Sequence, residues 1–158
     1  PTEPEPEHIL EDRPMTQTTY RAELGALLLR LTLGTMFIAH ALLKYFVFTL
    51  PGTVQFFQSL GLPGPLAYLV FAAELVGGVL LLLGVYTRYV SIALVPVLIG
   101  AAWAHFGNGW VFSAPNGGWE YPVFLAVAAV VQFLIGDGAF ALRRTAPVRQ
   151  EGVAYAAV

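Results

Sequence analysis

The sequence contains no cysteine. Disulfides, thiol redox relays, thiolate zinc sites and iron–sulfur clusters held by this chain alone are excluded. Charge is scarce too. Asp, Glu, Lys and Arg make up 11% of the 158 residues, against roughly a quarter in a typical soluble domain. Soluble-enzyme signatures are missing: no phosphate-cradling P-loop, no G-x-G-x-x-G after a strand, no G-x-S-x-G elbow. "GNGW" and "NGGW" are turn signals. Lys and Arg form no basic nucleic-acid face, and no internal repeat is evident. The opening "PTEPEPEHILEDRP" is acidic and lacks the basic start of a signal peptide. No small-residue cleavage site follows the first apolar run, so that run is expected to be a retained helix.

What is present is apolar sequence, 57% of the chain. Four long segments fit about 20 residues each, the length that crosses ~30 Å of hydrocarbon. The expected spans are about 22–48, 66–85, 89–106 and 120–135. The fold class is therefore all-α, a polytopic membrane four-helix bundle. Residues 1–20 are expected to form an acidic polar tail, 21–142 the helical domain, and 143–158 a basic, then small-residue tail. "TVQFFQSL" between the first two spans suits a short interfacial helix. Arg13, Arg21, Arg88, Arg143, Arg144 and Arg149 fall on one side of such a bundle, and Lys44 on the other. The positive-inside rule then puts both termini in the cytoplasm.

Ionisable residues inside the spans are costly, and so they are candidate functional groups. On a helical wheel of ~100° per residue, Arg30, Gly34, Phe37, His40, Ala41 and Lys44 share one third of the first helix. That stripe is expected to face protein. Arg30 lies towards the cytoplasmic end, where snorkelling to lipid phosphate is an alternative. Lys44 is near the other end, and His40 lies deeper. Glu74 sits mid-span in "PLAYLVFAAELVGGVLL", too short to snorkel. It must be protonated, paired or hydrated. A structural ion pair and a proton-handling group are both open. Gly77 and Gly78 permit close helix approach. His105 and Glu120 open on the same loop, with Asn108 as a neutral partner. Ordinary boundary polarity is the plainer account of both, but with sequential packing they converge with His40, Lys44 and Glu74.

No metal is expected. Two histidines and two carboxylates suit zinc or iron, but no Glu-x-x-His pair is present and Lys44 competes as a cation. A quinone site fits better. It needs an apolar slot, hydrogen-bond donors and proton carriers, for which His40, His105 and Glu74 are suitable types. Phe37, Phe71, Trp103 and Phe106 are candidate walls. Electrons would require a bound cofactor or a partner subunit.

Arg30 with "LTLGTMFIAHALLK", "FFQSLGLPGPLAY", "AAELVGGVLLLLGVYTR", "AHFGNGWVFSAPNGGWEY" and "GDGAFAL" resembles the DoxX family of small four-helix bacterial membrane proteins. The likeness covers about Glu23 to Leu142. It implies a multi-pass protein of the bacterial inner membrane. Some relatives are membrane subunits of thiosulfate:quinone oxidoreductase; others are linked to methylamine-utilisation maturation or oxidative-stress complexes. This chain lacks the cysteines that a thiol-redox maturation relative would use. The expected function is a membrane subunit associated with an oxidoreductase, with Glu74 and His40 catalytic and a possible quinone as cofactor. Lys44, Arg30, His105, Glu120 and Asn108 would bind ligand. The alternative is a non-enzymatic accessory subunit docking onto a larger membrane complex. Small-solute transport is a third class. Expected partners are the lipid bilayer and other membrane-protein subunits.

Overall fold

The computed structural model describes residues 17–145. Most of the expected acidic tail and all but the start of the basic tail, with Arg13 and Arg149, lie outside the described residues. Five α-helices follow: α1 Gln17–Leu42, α2 Leu50–Ser59, α3 Leu66–Leu83, α4 Thr87–His105 and α5 Glu120–Ile135. Among the described residues there is no strand, and Val85 and Arg143 form an isolated bridge. α1 packs most extensively on α3, and α4 on α5; α3–α4 and α1–α5 contacts close the ring. α2 lies against α3 at one end. This end, with the 106–119 connection, is called the loop end here. The other, with Gln17, the 84–86 turn and Thr145, is the terminal end.

The helices bury stripes at helical spacing. In α1 the buried residues are Ala26, Arg30, Leu33, Gly34, Phe37 and Ala41, spaced by three or four apart from the adjacent pair Leu33 and Gly34. Leu33 and Phe37 join Leu81, Leu94, Leu98, Leu125, Ala128 and Ala129 in one core. The outward faces are as apolar as the core. Leu28, Leu69, Ile99, Phe124 and Leu134 are each more than half exposed, a surface suited to lipid rather than water. Residues 17–47, 66–83 and 87–108 are long and apolar enough to cross a membrane. α5 is apolar but has 16 residues, about 24 Å at helical rise, less than the ~30 Å hydrocarbon thickness. The chain is an all-α, multi-pass membrane protein.

Glycines set the α1–α3 distance. A Cβ on Gly34 would lie 2.9 Å from the Gly78 carbonyl oxygen, and one on Gly78 would lie 2.9 Å from that of Gly34. The two backbones touch, as small residues permit between membrane helices. The first helix also continues past Leu42 as a wide π turn, Leu43–Val47, in which Phe48 N–H donates to the Leu43 carbonyl at 3.0 Å. Thr49 then caps α2, its hydroxyl accepting from Gly52 N–H at 3.2 Å.

The terminal end is closed by residues 136–145. Leu142 N–H donates to Leu83 O, Arg143 N–H to Gly84 O, and Tyr86 N–H to Arg143 O, at 3.0–3.1 Å. Ala139 N–H reaches Glu23 O at 3.0 Å. Gly84 ends α3 in the left-handed region, φ 67°. A Cβ there would collide with the Arg30 guanidinium and lie 2.7 Å from Ala141 Cα.

Gly84→Ala should therefore destabilise the protein by more than the ~1–2 kcal/mol of a left-handed alanine alone. Gly100, helical in α4 with open space around its Cα, should gain about 0.5–1 kcal/mol on conversion to Ala. Thermal unfolding of the two variants in detergent checks both signs.

Candidate functional site

At the loop end Lys44 Nζ donates to both carboxylate oxygens of Glu74, at 2.8 and 2.7 Å. Glu74 is only 6% exposed. The direction of each side chain follows from the fold. Cα–Cβ bonds lean towards a helix's own N-terminus. α1 and α3 run antiparallel, so Lys44 leans inward from the loop end while Glu74 leans out towards it. The two meet between the helices. The π turn, which begins one residue before Lys44, alters the helical phase at that point. Gly78, one turn after Glu74, brings the carboxylate close enough to α1. The buried charge is thus paired and doubly hydrogen-bonded, the condition under which burial is tolerated.

His40 lies one turn before Lys44 and is half-buried. Its Nδ1 is 2.7 Å from the Met36 carbonyl oxygen. A carbonyl only accepts, so Nδ1 carries the proton, and in the neutral form of the ring Nε2 is an acceptor. The ring stacks on Tyr121 of α5, with centroids 5.9 Å apart and planes at 26°. Tyr121 in turn lines a cleft of about 460 Å³ with Trp110, Phe112, Glu120, Val123 and Phe124. An aromatic cleft therefore reaches the neighbourhood of the ion pair through one stacked pair of rings.

The 106–119 loop that supplies Trp110 and Phe112 is held by polar groups. His105 Nδ1 lies 3.0 Å from Asn116 O. Asn108 Nδ2 donates to Asn116 O at 3.1 Å and to Gly117 O at 2.8 Å. Glu120 Oε1 accepts from Phe112 N–H at 2.8 Å. Trp110 and Trp119 meet edge to face at 4.4 Å between centroids, and Phe106 stacks on Trp119 at 5.7 Å. His105 and Asn108 thus organise the loop, while Glu120 both anchors it and lines the cleft.

Arg30, expected on the same stripe towards the cytoplasmic end and grouped with Lys44 as ligand-binding, stands at the terminal end, away from the cleft. It is 1% exposed, and its Nη1 and Nη2 donate to the carbonyls of Asp137 at 3.1 Å and Ala139 at 3.2 Å. It neither snorkels to lipid nor joins the other basic groups. The segment after α5 supplies it with backbone acceptors inside the protein. Asp137 is buried as well; its carboxylate accepts from Thr145 N–H at 2.7 Å and Thr145 Oγ1 at 2.8 Å. Arg88 donates to Phe133 O at 2.9 Å. These contacts brace the terminal end.

The expected aromatic walls do not gather around one slot. Phe37 is buried in the core, Phe71 stacks on Tyr45 at 6.1 Å, and Trp103 and Phe106 point outward. The cleft uses Trp110, Phe112, Tyr121 and Phe124 instead. Among the described residues no group of three metal-ligating side chains occurs. Tyr121 had one readable signal, its place in "WEY" beside Glu120 at the start of an apolar run. The stacking on His40 depends on α1–α5 contact and has no local signature.

A family model described as DoxX matches residues 25–107, more than half of the chain. A protein of Bacillus subtilis (strain 168) named "Putative oxidoreductase CatD" is 47% identical over 79 residues. The match covers 50% of this chain and 58% of that protein, so the chain spans less than two thirds of its relative's length. No solved structure matches.

Removing one partner of the buried pair should cost more than removing both. Lys44→Met leaves a buried carboxylate unpaired and is expected to lose about 3–5 kcal/mol, most of which Lys44→Met with Glu74→Leu should recover. A double-mutant cycle read by denaturation in mixed micelles measures the coupling. A value near zero would show the pair to be solvated.

Proposed function

The chain belongs to the DoxX family, and from that premise we propose that it is a membrane subunit associated with an oxidoreductase, offering a quinone site at its loop end. The observation that supports this most directly is the contact chain from the aromatic cleft through Tyr121 and His40 towards the Lys44–Glu74 pair. The name of the Bacillus relative agrees with an oxidoreductase setting.

The cleft suits a flat ring. Its volume of about 460 Å³ lies within the range of small-ligand sites, which are mostly apolar with few polar groups. Trp110, Phe112, Tyr121 and Phe124 supply the walls. Phe124 is exposed on the apolar outer face, so a prenyl tail can remain in lipid. Glu120 supplies a carboxylate at the mouth. Interconversion of quinone and hydroquinone moves two electrons and two protons; a partner subunit supplies the electrons for reduction or accepts them in oxidation. His40 holds a proton at Nδ1 and can take another at Nε2. Glu74 is the second proton-handling group, and Lys44 sets its charge. His105 and Asn108 keep the loop in place. Arg30 binds no ligand in this reading; it fixes the terminal end.

Arg21, Arg88, Arg143 and Arg144 cluster at the terminal end, while Lys44 is the loop-end cation. By the positive-inside rule the terminal end faces the cytoplasm of a bacterial inner membrane, and the cleft opens near the outer surface. One observation favours a second reading. The Lys44–Glu74 pair satisfies itself without any ligand, as a purely structural tie in an accessory subunit would.

Glu74→Gln separates the two readings. The variant keeps one oxygen for Lys44 Nζ, so it is expected to insert and assemble with reduced stability but to abolish quinone-linked turnover of the native complex. Turnover that survives assigns the pair to structure and the chain to an accessory role. Tyr121→Leu should weaken short-chain quinone binding about tenfold, the scale of a lost aromatic contact, measured by calorimetry on the full chain in nanodiscs.

A further inference from the structure

The quinone reading leaves open which redox form the cleft accepts, and the hydrogen-bond inventory of the loop end answers it. Donors here are largely committed to the protein's own acceptors. Lys44 Nζ is held by both oxygens of Glu74. Asn108 Nδ2 is spent on Asn116 O and Gly117 O. Phe112 N–H, a backbone donor contributed by a cleft residue, is taken by Glu120 Oε1. Two acceptors are unspent. Glu120 Oε2 has no donor among the described residues, and an ionised carboxylate has none to offer a ligand. His40 Nε2, in the tautomer that Met36 O imposes, is an acceptor without a partner among the described residues. The Tyr121 hydroxyl can serve either way. The Trp110 indole and backbone N–H groups are uncommitted donors in the lining among the described residues, so the unmatched acceptor of the cleft is Glu120 Oε2.

Resting on the quinone-site reading above, we infer that the cleft selects the reduced form, an aromatic diol of the hydroquinone class, over the quinone. A hydroquinone brings two O–H donors to a site whose carboxylate needs one. A quinone brings two carbonyl oxygens, and one of them set against Glu120 Oε2 would place acceptor on acceptor in a largely apolar setting. The aromatic walls hold either ring equally, so the discrimination rests on Glu120. Its position is fixed by the Phe112 bond, which makes the loop part of the selectivity device. A site of this preference would hold ligand in the form able to give two protons to the protein's acceptors and two electrons to the partner subunit.

The test is binding to the full-length chain in nanodiscs, by anaerobic calorimetry, of one short-chain hydroquinone and its own quinone. The reduced form is expected to bind about tenfold tighter or more, the scale of one charge-assisted hydrogen bond. Glu120→Gln, which keeps an oxygen for Phe112 N–H, should erase most of that preference by weakening the reduced ligand. Equal affinities, or a tighter quinone, in the unaltered protein would overturn the inference while leaving the quinone site standing. Binding of neither form removes both. A preference that persists unchanged in Glu120→Gln overturns the role given to Glu120. The comparison in the unaltered protein is decisive even where that variant misassembles.

Discussion

A carboxylate within a membrane-spanning bundle must be met by something, and in this chain it is met by Lys44. Much of the loop-end architecture is arranged around that requirement. The Gly34–Gly78 contact lets α3 approach α1 until their backbones touch. Antiparallel packing then makes the lysine and the glutamate lean towards one another. The π turn adjusts the helical phase where Lys44 departs. A wide turn and close glycines cost helix stability, and each is justified by the buried charge it accommodates.

The terminal end solves the same problem by other means. Among the described residues Arg30 has no carboxylate side chain within hydrogen-bond reach; its donors go to the carbonyls of Asp137 and Ala139. Those carbonyls belong to a chain segment that leaves α5 and passes beneath the bundle, where irregular backbone exposes acceptors that a helix would keep to itself. A guanidinium with its planar fork can serve two carbonyls at once, which an ammonium does less well. The bundle thus uses side-chain pairing at one end and side-chain-to-backbone bonding at the other.

These two solutions were not equally legible. Periodicity revealed the apolar spans and the α1 stripe, because burial repeats with the helix. It also placed Glu74 at a level between Arg30 and Lys44, nearest His40, since depth along antiparallel helices is set by rise per residue; that Lys44 is the partner follows only from the structure. Arg30 shares that stripe, but its partners come from residues more than a hundred positions later, in a segment without periodicity. The aromatic walls failed for a related reason. Trp103 and Phe106 sit in or beside an apolar helix, yet they face outward, and rotation about the helix axis is fixed only by tertiary packing. The cleft is built from Trp110, Phe112 and the start of α5, and its shape depends on a loop tied by Asn108, His105 and Glu120. Those residues looked like boundary polarity because each bonds to backbone, which carries no sequence identity.

The uneven contact among the helices has a mechanical corollary. α1 and α3 are locked backbone to backbone, and α4 and α5 form the other extensive pairing. The bundle therefore consists of two stiff leaves joined along thinner seams. The ion pair belongs wholly to the first leaf, while the cleft is carried by the second. His40 and Tyr121 touch across the seam between them. Any slight scissoring of the leaves would change that ring overlap before it disturbed either leaf's interior, so the stacked rings are the natural strain gauge of the molecule.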